Sequence, residues 1–140
     1  MRNIHPDLLW QGHAGDLRQH KRLARQRIAA VVDVAYEERP ASLPRHFLYC
    51  RFPLSDGTGN RDATLLQAIQ TVTDLLRLRV PTLVTCSAGM SRSPIVATFG
   101  LAALRNDSPE NILRELADSK SLEIHPLLWN DAKRVFASVR

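Results

Sequence analysis

A cysteine, five residues without bulky branching, an arginine and a serine stand in one run: Cys86-Ser87-Ala88-Gly89-Met90-Ser91-Arg92-Ser93. Each residue type has a part in one kind of chemistry. A cysteine thiolate is a strong nucleophile. A short run of small residues lets successive backbone N–H groups converge on an anion. An arginine fork holds two oxygens of a phosphoryl group at once. Ser93-Pro94 has the cap and first-position proline of a helix, whose N-terminal dipole would point at the same spot. Residues Ser87, Ala88, Gly89, Met90, Ser91 and Arg92 would bind a phosphoryl group, and Cys86 would attack it. A free thiol with its pKa at ~8.5 is mostly protonated at neutral pH. These donors should lower it by about a unit or more.

The leaving oxygen of a phosphate ester requires a proton. Asp56, on the turn-rich loop Ser55-Asp56-Gly57-Thr58-Gly59-Asn60, is the best-placed donor in the sequence. Asp-Gly is also a common turn pair, so turn chemistry is its second reading. Asp62 is a fallback acid that better suits a helix cap. Asp33 ends an apolar strand and better suits a role binding backbone amides at the sheet edge.

These groups must be held by elements legible from hydrophobic periodicity. Thr82–Thr85 reads as a short buried strand ending at Cys86. The helix that opens at Ser93 carries Ile95, Val96, Ala97, Phe99, Leu101, Ala103 and Leu104. It is apolar nearly all round and should be buried. Ile28–Val34 is a β-branched run, the mark of an interior strand covered on both faces. Phe47–Leu54 is a further strand, and Glu37–Pro44 a loop between the two. A helix over about Asp62–Arg79 has Leu65, Ile69, Val72 and Leu76 on one face. Ser108-Pro109-Glu110 opens another helix, to about Ala117, and Pro126–Val139 forms the last. Toward the start, residues 4–13 read as an extended segment with a turn at Gly12, and 14–25 as a one-sided helix with a basic outer face. The expectation is an α/β fold: a central, mostly parallel sheet of about four or five strands flanked by helices. Its strand-end loops gather on one edge, where ligands bind.

Composition fits one soluble domain spanning residues 1–140. Hydrophobic residues make up 44% and charged residues 24% of the chain, which argues against disorder. No apolar run reaches the ~18 residues of a membrane span, and no apolar core follows the basic start as in a signal peptide. A cytoplasmic location is expected. Two cysteines, Cys50 and Cys86, suit a reducing compartment, with Cys50 read as a core residue. The five histidines are scattered, and neither metal-ligand spacing nor a nucleotide-binding glycine loop occurs, so no metal and no cofactor are expected. The charge of +5 favours anionic partners. The basic run His20–Arg27 fits the solvated outer face of a helix better than a nucleic-acid surface, since no aromatics interleave it.

The run Cys86-Ser-Ala-Gly-Met-Ser-Arg92-Ser93 resembles the signature loop of the cysteine-dependent protein phosphatases, most of all the small dual-specificity branch. The setting Pro53-Leu54-Ser55-Asp56 resembles that of the family's acid. The likeness runs from about Phe47 to the last helix, and more loosely over the first half. Directly before the cysteine the family usually has His, and this chain has Thr85. The resemblance implies a metal-independent phosphatase acting through a phosphocysteine. Cys86 would be its nucleophile, Arg92 its clamp, Asp56 its acid, and the Ser93 hydroxyl its aid in expelling the thiolate. Expected substrates are phosphotyrosine or phosphoserine/threonine in proteins, since no lysine lies in the loop, and a shallow pocket is expected. The alternatives are a phosphatase of RNA 5′ ends or small metabolites, a catalytically weak phosphate-binding module, and a sulfur transferase. A nucleic-acid partner is the weaker reading, and no membrane partner is expected.

Overall fold

In the computed structural model, which describes residues 1–118 and 122–139, β-branched runs form the middle of a five-stranded sheet. Strands β3 (Ala30–Ala35) and β5 (Thr82–Cys86) are buried along their whole length. They pair in parallel, with Asp33 opposite Thr85. On the other side of β3 lies β4 (Leu48–Leu54), also parallel. On the other side of β5 lies β2 (Leu9–His13), again parallel, with Gly12 opposite Thr85 and His13 opposite Cys86. Strand β1 (Arg2–His5) closes the edge antiparallel to β2, giving the order β1-β2-β5-β3-β4.

Residues 4–13, expected as one extended segment, therefore form a hairpin. Its turn sits around Asp7, at φ 59°, and not at Gly12, which lies inside β2. A side chain at Gly12 would run into the Asp16 carboxylate, so close approach explains this glycine better than a turn. Residues 14–25 are also divided. A 3-10 turn, Ala14–Arg18, precedes a short helix α1 (His20–Arg25), with Gln19 in a non-helical conformation between them.

The alternation of β-strand side chains builds two cores. On one face Val32, Val34 and Val84 pack with helices α2 (Asp62–Arg77), α3 (Arg92–Arg105) and α5 (Pro126–Ala137). On the other face Trp10, Val31 and Leu83 are covered by Leu17, Leu23 and Ile28. Helix α4 (Pro109–Ala117) has the expected Ser108 cap, whose hydroxyl accepts from Asn111 N–H at 3.2 Å. The other two cap expectations are corrected. Helix α3 starts one residue early, at Arg92, because the Ser93 hydroxyl faces Cys86 and Gly12 and not the helix end. Asp62 is the first residue of α2, and its carboxylate is held by both terminal nitrogens of Arg134 at 2.8 and 2.9 Å.

Cys50 pairs with Val32 on β4, while Cys86 ends β5, and β3 lies between them. Two strand spacings and a two-residue offset along β5 put them roughly 12 Å apart, beyond disulfide reach. Among the described residues no helix is long and apolar enough to cross a membrane.

Helices α2 and α3 touch at a glycine. A Cβ on Gly100 would lie 2.5 Å from Val72 Cγ1. Gly100→Ala is expected to destabilise the fold by about 1–3 kcal/mol through overpacking. Val72→Ala in the same chain should recover part of that loss. Urea denaturation of the two single variants and the double variant reads the coupling, and strictly additive losses would refute the contact.

Candidate active site

The end of β5 delivers Cys86 into a turn that runs to Arg92, and four of the turn's carbonyls are drawn outward. Ser87 O accepts from Ala14 N at 3.3 Å, Met90 O from Glu123 N at 3.0 Å, and Ser91 O from Ile95 N at 3.0 Å. Gly89 O accepts from the buried Gln11 side chain at 2.8 Å. A peptide's N–H points opposite to its C=O. The N–H groups of Ala88, Met90, Ser91 and Arg92 therefore turn inward, and none has a partner among the described residues. Gly89 is required at the bend. Its φ is 73°, and a side chain would lie 2.9 Å from Gly12 O.

Cys86 is 2% exposed. Its sulfur lies 3.3 Å from Gly89 N and 3.2 Å from the Ser93 hydroxyl. That hydroxyl also lies 3.1 Å from Gly12 O and receives the Gln11 amide at 2.9 Å.

Arg92 is buried with its guanidinium anchored from behind. Nη1 donates to Leu54 O at 2.8 Å and to Glu37 Oε1 at 2.5 Å, and Nη2 donates to Glu37 Oε2 at 2.7 Å. Nε–H and the second Nη2 proton remain as a fork for two oxygens. The loop carrying Glu37 is fixed in turn by Arg51, whose Nη2 donates to Ala35 O at 3.2 Å and Glu38 O at 2.7 Å. The Arg92 guanidinium pulls the Glu37 carboxyl down to about 2, against the upward push of burial. Burial works against the charge on Arg92, but Glu37 and the neighbouring Cys86 and Asp56 more than offset it and raise its pKa.

Asp56 sits on an exposed loop stapled by Asn60, which exchanges hydrogen bonds with the Ser55 backbone at 2.8 and 2.9 Å. The Ser91 hydroxyl donates to Asp56 Oδ1 at 2.7 Å and accepts from His125 N at 2.9 Å. The loop carrying Asp56, the Cys86–Arg92 turn and the start of α5 thus meet at one oxygen. Asp56, Cys86, Ala88, Met90, Ser91 and Arg92 line one small concavity of about 110 Å³, with Glu123 on its rim. Ser93 lies beside the Cys86 sulfur, and Ser87 and Gly89 do not line the concavity but pack against Ala14 and Gly12.

The sequence reading missed Glu37, Gln11, Glu123 and His125. A glutamate in a proline-bearing loop and a glutamine on an edge segment carry no local signal, and their partners are far away in the chain. Asp33 does bind a backbone amide, that of Ala35 at 3.1 Å, and also accepts from the Tyr49 hydroxyl at 2.6 Å. Among the described residues no group of three or more His, Cys, Asp or Glu side chains could hold a metal ion.

The chain matches no protein-family model and no curated protein. Solved structures resemble it over nearly all its length. Human DUSP28 superposes with a TM-score of 0.86 at 21% identity, covering 99% of this chain and 97% of that one. The human tyrosine phosphatase-like serine/threonine/tyrosine-interacting protein gives 0.85 at 14% identity, with 99% and 97% covered. PTPMT1 gives 0.80 at 20% identity, with 98% and 94% covered. This is the dual-specificity phosphatase fold. Within that fold the place before the cysteine, usually His, is held here by Thr85. It is fully buried, and its hydroxyl has no partner among the described residues. A β-branched side chain suits the middle of a sheet covered on both faces.

Glu37 gives this dual-specificity phosphatase fold a testable pH signature. Its pKa is depressed on folding, so its stabilising effect is complete above the ordinary value of 4.5 and fades as pH falls toward about 2. Its side chain is 54% exposed, so solvent screens the pair. Glu37→Gln is expected to cost about 1 kcal/mol at neutral pH and almost nothing near pH 2. Urea titrations at several pH values check this, and an equal loss at every pH would overturn it.

Proposed function

We propose that this chain is a metal-independent phosphomonoesterase acting on phosphotyrosine or phosphoserine/threonine in proteins. The observation that carries the proposal is the inverted turn: free N–H groups, the Arg92 fork and the Cys86 sulfur all face one concavity that also holds Asp56. The dianion is held by the N–H groups of the turn and by Nε–H and Nη2–H of Arg92. The Cys86 thiolate attacks phosphorus in line, forming an S–P bond as the ester P–O bond breaks. Asp56, protonated on the oxygen that Ser91 leaves free, gives its proton to the leaving oxygen. A water then loses a proton to Asp56 and attacks phosphorus. The S–P bond breaks, and the returning thiolate is met by the Ser93 hydroxyl. The small volume of the concavity supports a shallow pocket open to both kinds of phosphorylated side chain. The fold likeness to phosphatases supports the reaction class.

Hydrolysis of p-nitrophenyl phosphate across pH 5–8, with a chelator present, tests the proposal. Wild type should turn over. Cys86→Ser should be inactive, and Asp56→Asn slower by roughly 10²–10⁴-fold with phosphate binding retained. A wild type that binds vanadate without turnover would replace the enzyme by a phosphate-binding module.

Ser91→Ala separates positioning from binding. It should lower kcat by about tenfold or more and leave KM nearly unchanged, because the hydroxyl's hold on Asp56 and on His125 N–H is lost while the turn's N–H groups and Arg92 are kept. The combination with Asp56→Asn should be no slower than Asp56→Asn alone. Additive losses would show that Ser91 acts otherwise.

A further inference from the structure

Next to the Cys86 concavity, at the same end of the sheet, lies a larger open groove of about 570 Å³. The 3-10 turn contributes Ala14, Leu17 and Arg18 to its walls, α1 contributes His20, and the segment Glu38–Ser42 closes it opposite. Two connections tie it to the phosphate-binding turn. Ala14 N–H donates to Ser87 O, and Glu37, whose carboxylate grips Arg92, leads directly into Glu38 and Arg39. A second hollow continues from the groove, sharing Arg18 and His20 and running past Lys21, Arg22 and Arg25. The surface thus leads from the phosphate site, over an apolar floor of Leu17, Pro40 and Ala41, to a row of cations.

Two of those cations reach backbone carbonyls, Arg22 Nη2 to Met1 O at 3.4 Å and Arg25 Nε to Lys21 O at 3.5 Å. Arg18, Lys21, Arg22, Arg25 and Arg39 are exposed, and among the described residues no carboxylate lies within ion-pair reach of any of them. Two acids face the groove. Asp33 is 3% exposed, and its two oxygens are taken by Ala35 N–H and the Tyr49 hydroxyl. Glu38 is left as the groove's own acceptor.

We propose that this groove is a second substrate subsite, which takes the acidic side chains flanking the phosphorylated residue of a peptide. The proposal rests on the phosphatase reading above and names the substrate class of that same site. A concavity of about 110 Å³ admits little beyond the phosphorylated group itself, so flanking residues must lie outside it. An extended peptide advances ~3.3 Å per residue, so a few residues cross the apolar floor and reach Arg18 or Arg39. Nucleic acid fits less well. Neither hollow has a Phe, Tyr or Trp in its walls to stack a base. Glu38 can accept a peptide N–H, for which a phosphate backbone has no counterpart.

The test compares two phosphotyrosine peptides of equal length, one flanked by Asp and Glu, the other by Ala and Gln. The full-length chain and the Arg18→Glu/Arg39→Glu variant are assayed, with p-nitrophenyl phosphate as the control. Wild type should prefer the acidic peptide by roughly five- to tenfold in kcat/KM at low salt, less at high salt. The variant should lose or invert that preference while keeping its p-nitrophenyl phosphate rate within about twofold, as expected for exposed charges away from the reacting atoms. Equal rates for the two peptides in wild type, or a preference that survives the double substitution, would overturn the subsite. So would a 5′-phosphorylated RNA that outcompetes the acidic peptide and loses its advantage in the variant. Should wild type hydrolyse nothing, the phosphatase reading fails by itself. Fluorescence anisotropy of the two peptides with wild type and the double variant then decides the subsite by the same preference.

Discussion

A turn whose N–H groups converge demands that its peptides face the same way, and everything else here follows from satisfying the other ends of those peptides. Inward N–H groups mean outward C=O groups, and buried carbonyls without donors are costly. The chain supplies the donors from two distant places and from the helix that continues the turn. β2 and the turn after it contribute Gln11 Nε2 and Ala14 N–H, the segment before α5 contributes Glu123 N–H, and α3 contributes Ile95 N–H. The N-terminal hairpin is therefore part of the site's scaffold, although none of its side chains enters the concavity. The close packing of Gly12 against Gly89 belongs to the same requirement, since Gln11 and Ala14 can reach the turn only if the two backbones touch.

The same accounting governs the Ser93 hydroxyl. It has one proton and three polar neighbours. The Gln11 amide donates to it at 2.9 Å, so the hydroxyl's own proton must go either to Gly12 O at 3.1 Å or to Cys86 Sγ at 3.2 Å. A thiol can return the favour by donating its S–H to the hydroxyl, leaving the serine proton on Gly12. A thiolate cannot, and it draws the serine proton to itself. The hydroxyl thus follows the charge on sulfur without any heavy atom moving. This is also why Ser93 does not cap α3: its acceptor face is already used by Gln11.

How much of this was legible beforehand divides along physical lines. The turn itself, Cys86 through Arg92, was readable because glycine, small residues, arginine and a following buried helix are local and mutually dependent. The parallel sheet and its covering helices were readable from periodicity. Asp56 could be placed on a loop but not aimed, since its aim depends on Ser91, in another part of the chain. Glu37 was not readable at all. Nothing local distinguishes it from Glu38, and only the crossover from β3 to β4 beside β5 brings its carboxylate behind Arg92. Gly12 was misread as a turn because a glycine needed for close approach looks, in sequence, like a glycine needed for φ. The one-sided pattern of 14–25 was genuine, but it could not show the break at Gln19, where a 3-10 turn gives way to α1.

The electrostatic arrangement has a further consequence. Glu37 largely neutralises Arg92, so an anion bound as proposed would owe little to net positive charge. It would be held by oriented N–H dipoles, which act over short range and require its oxygens to sit in the turn. The chain's surplus of cations lies elsewhere, exposed on the 3-10 turn, α1 and the segment after Glu37. Short-range dipoles discriminate by geometry, whereas exposed charges discriminate by sign and are screened by salt. On the function and subsite proposed above, the first surface would select a phosphate monoester and the second what is attached to it.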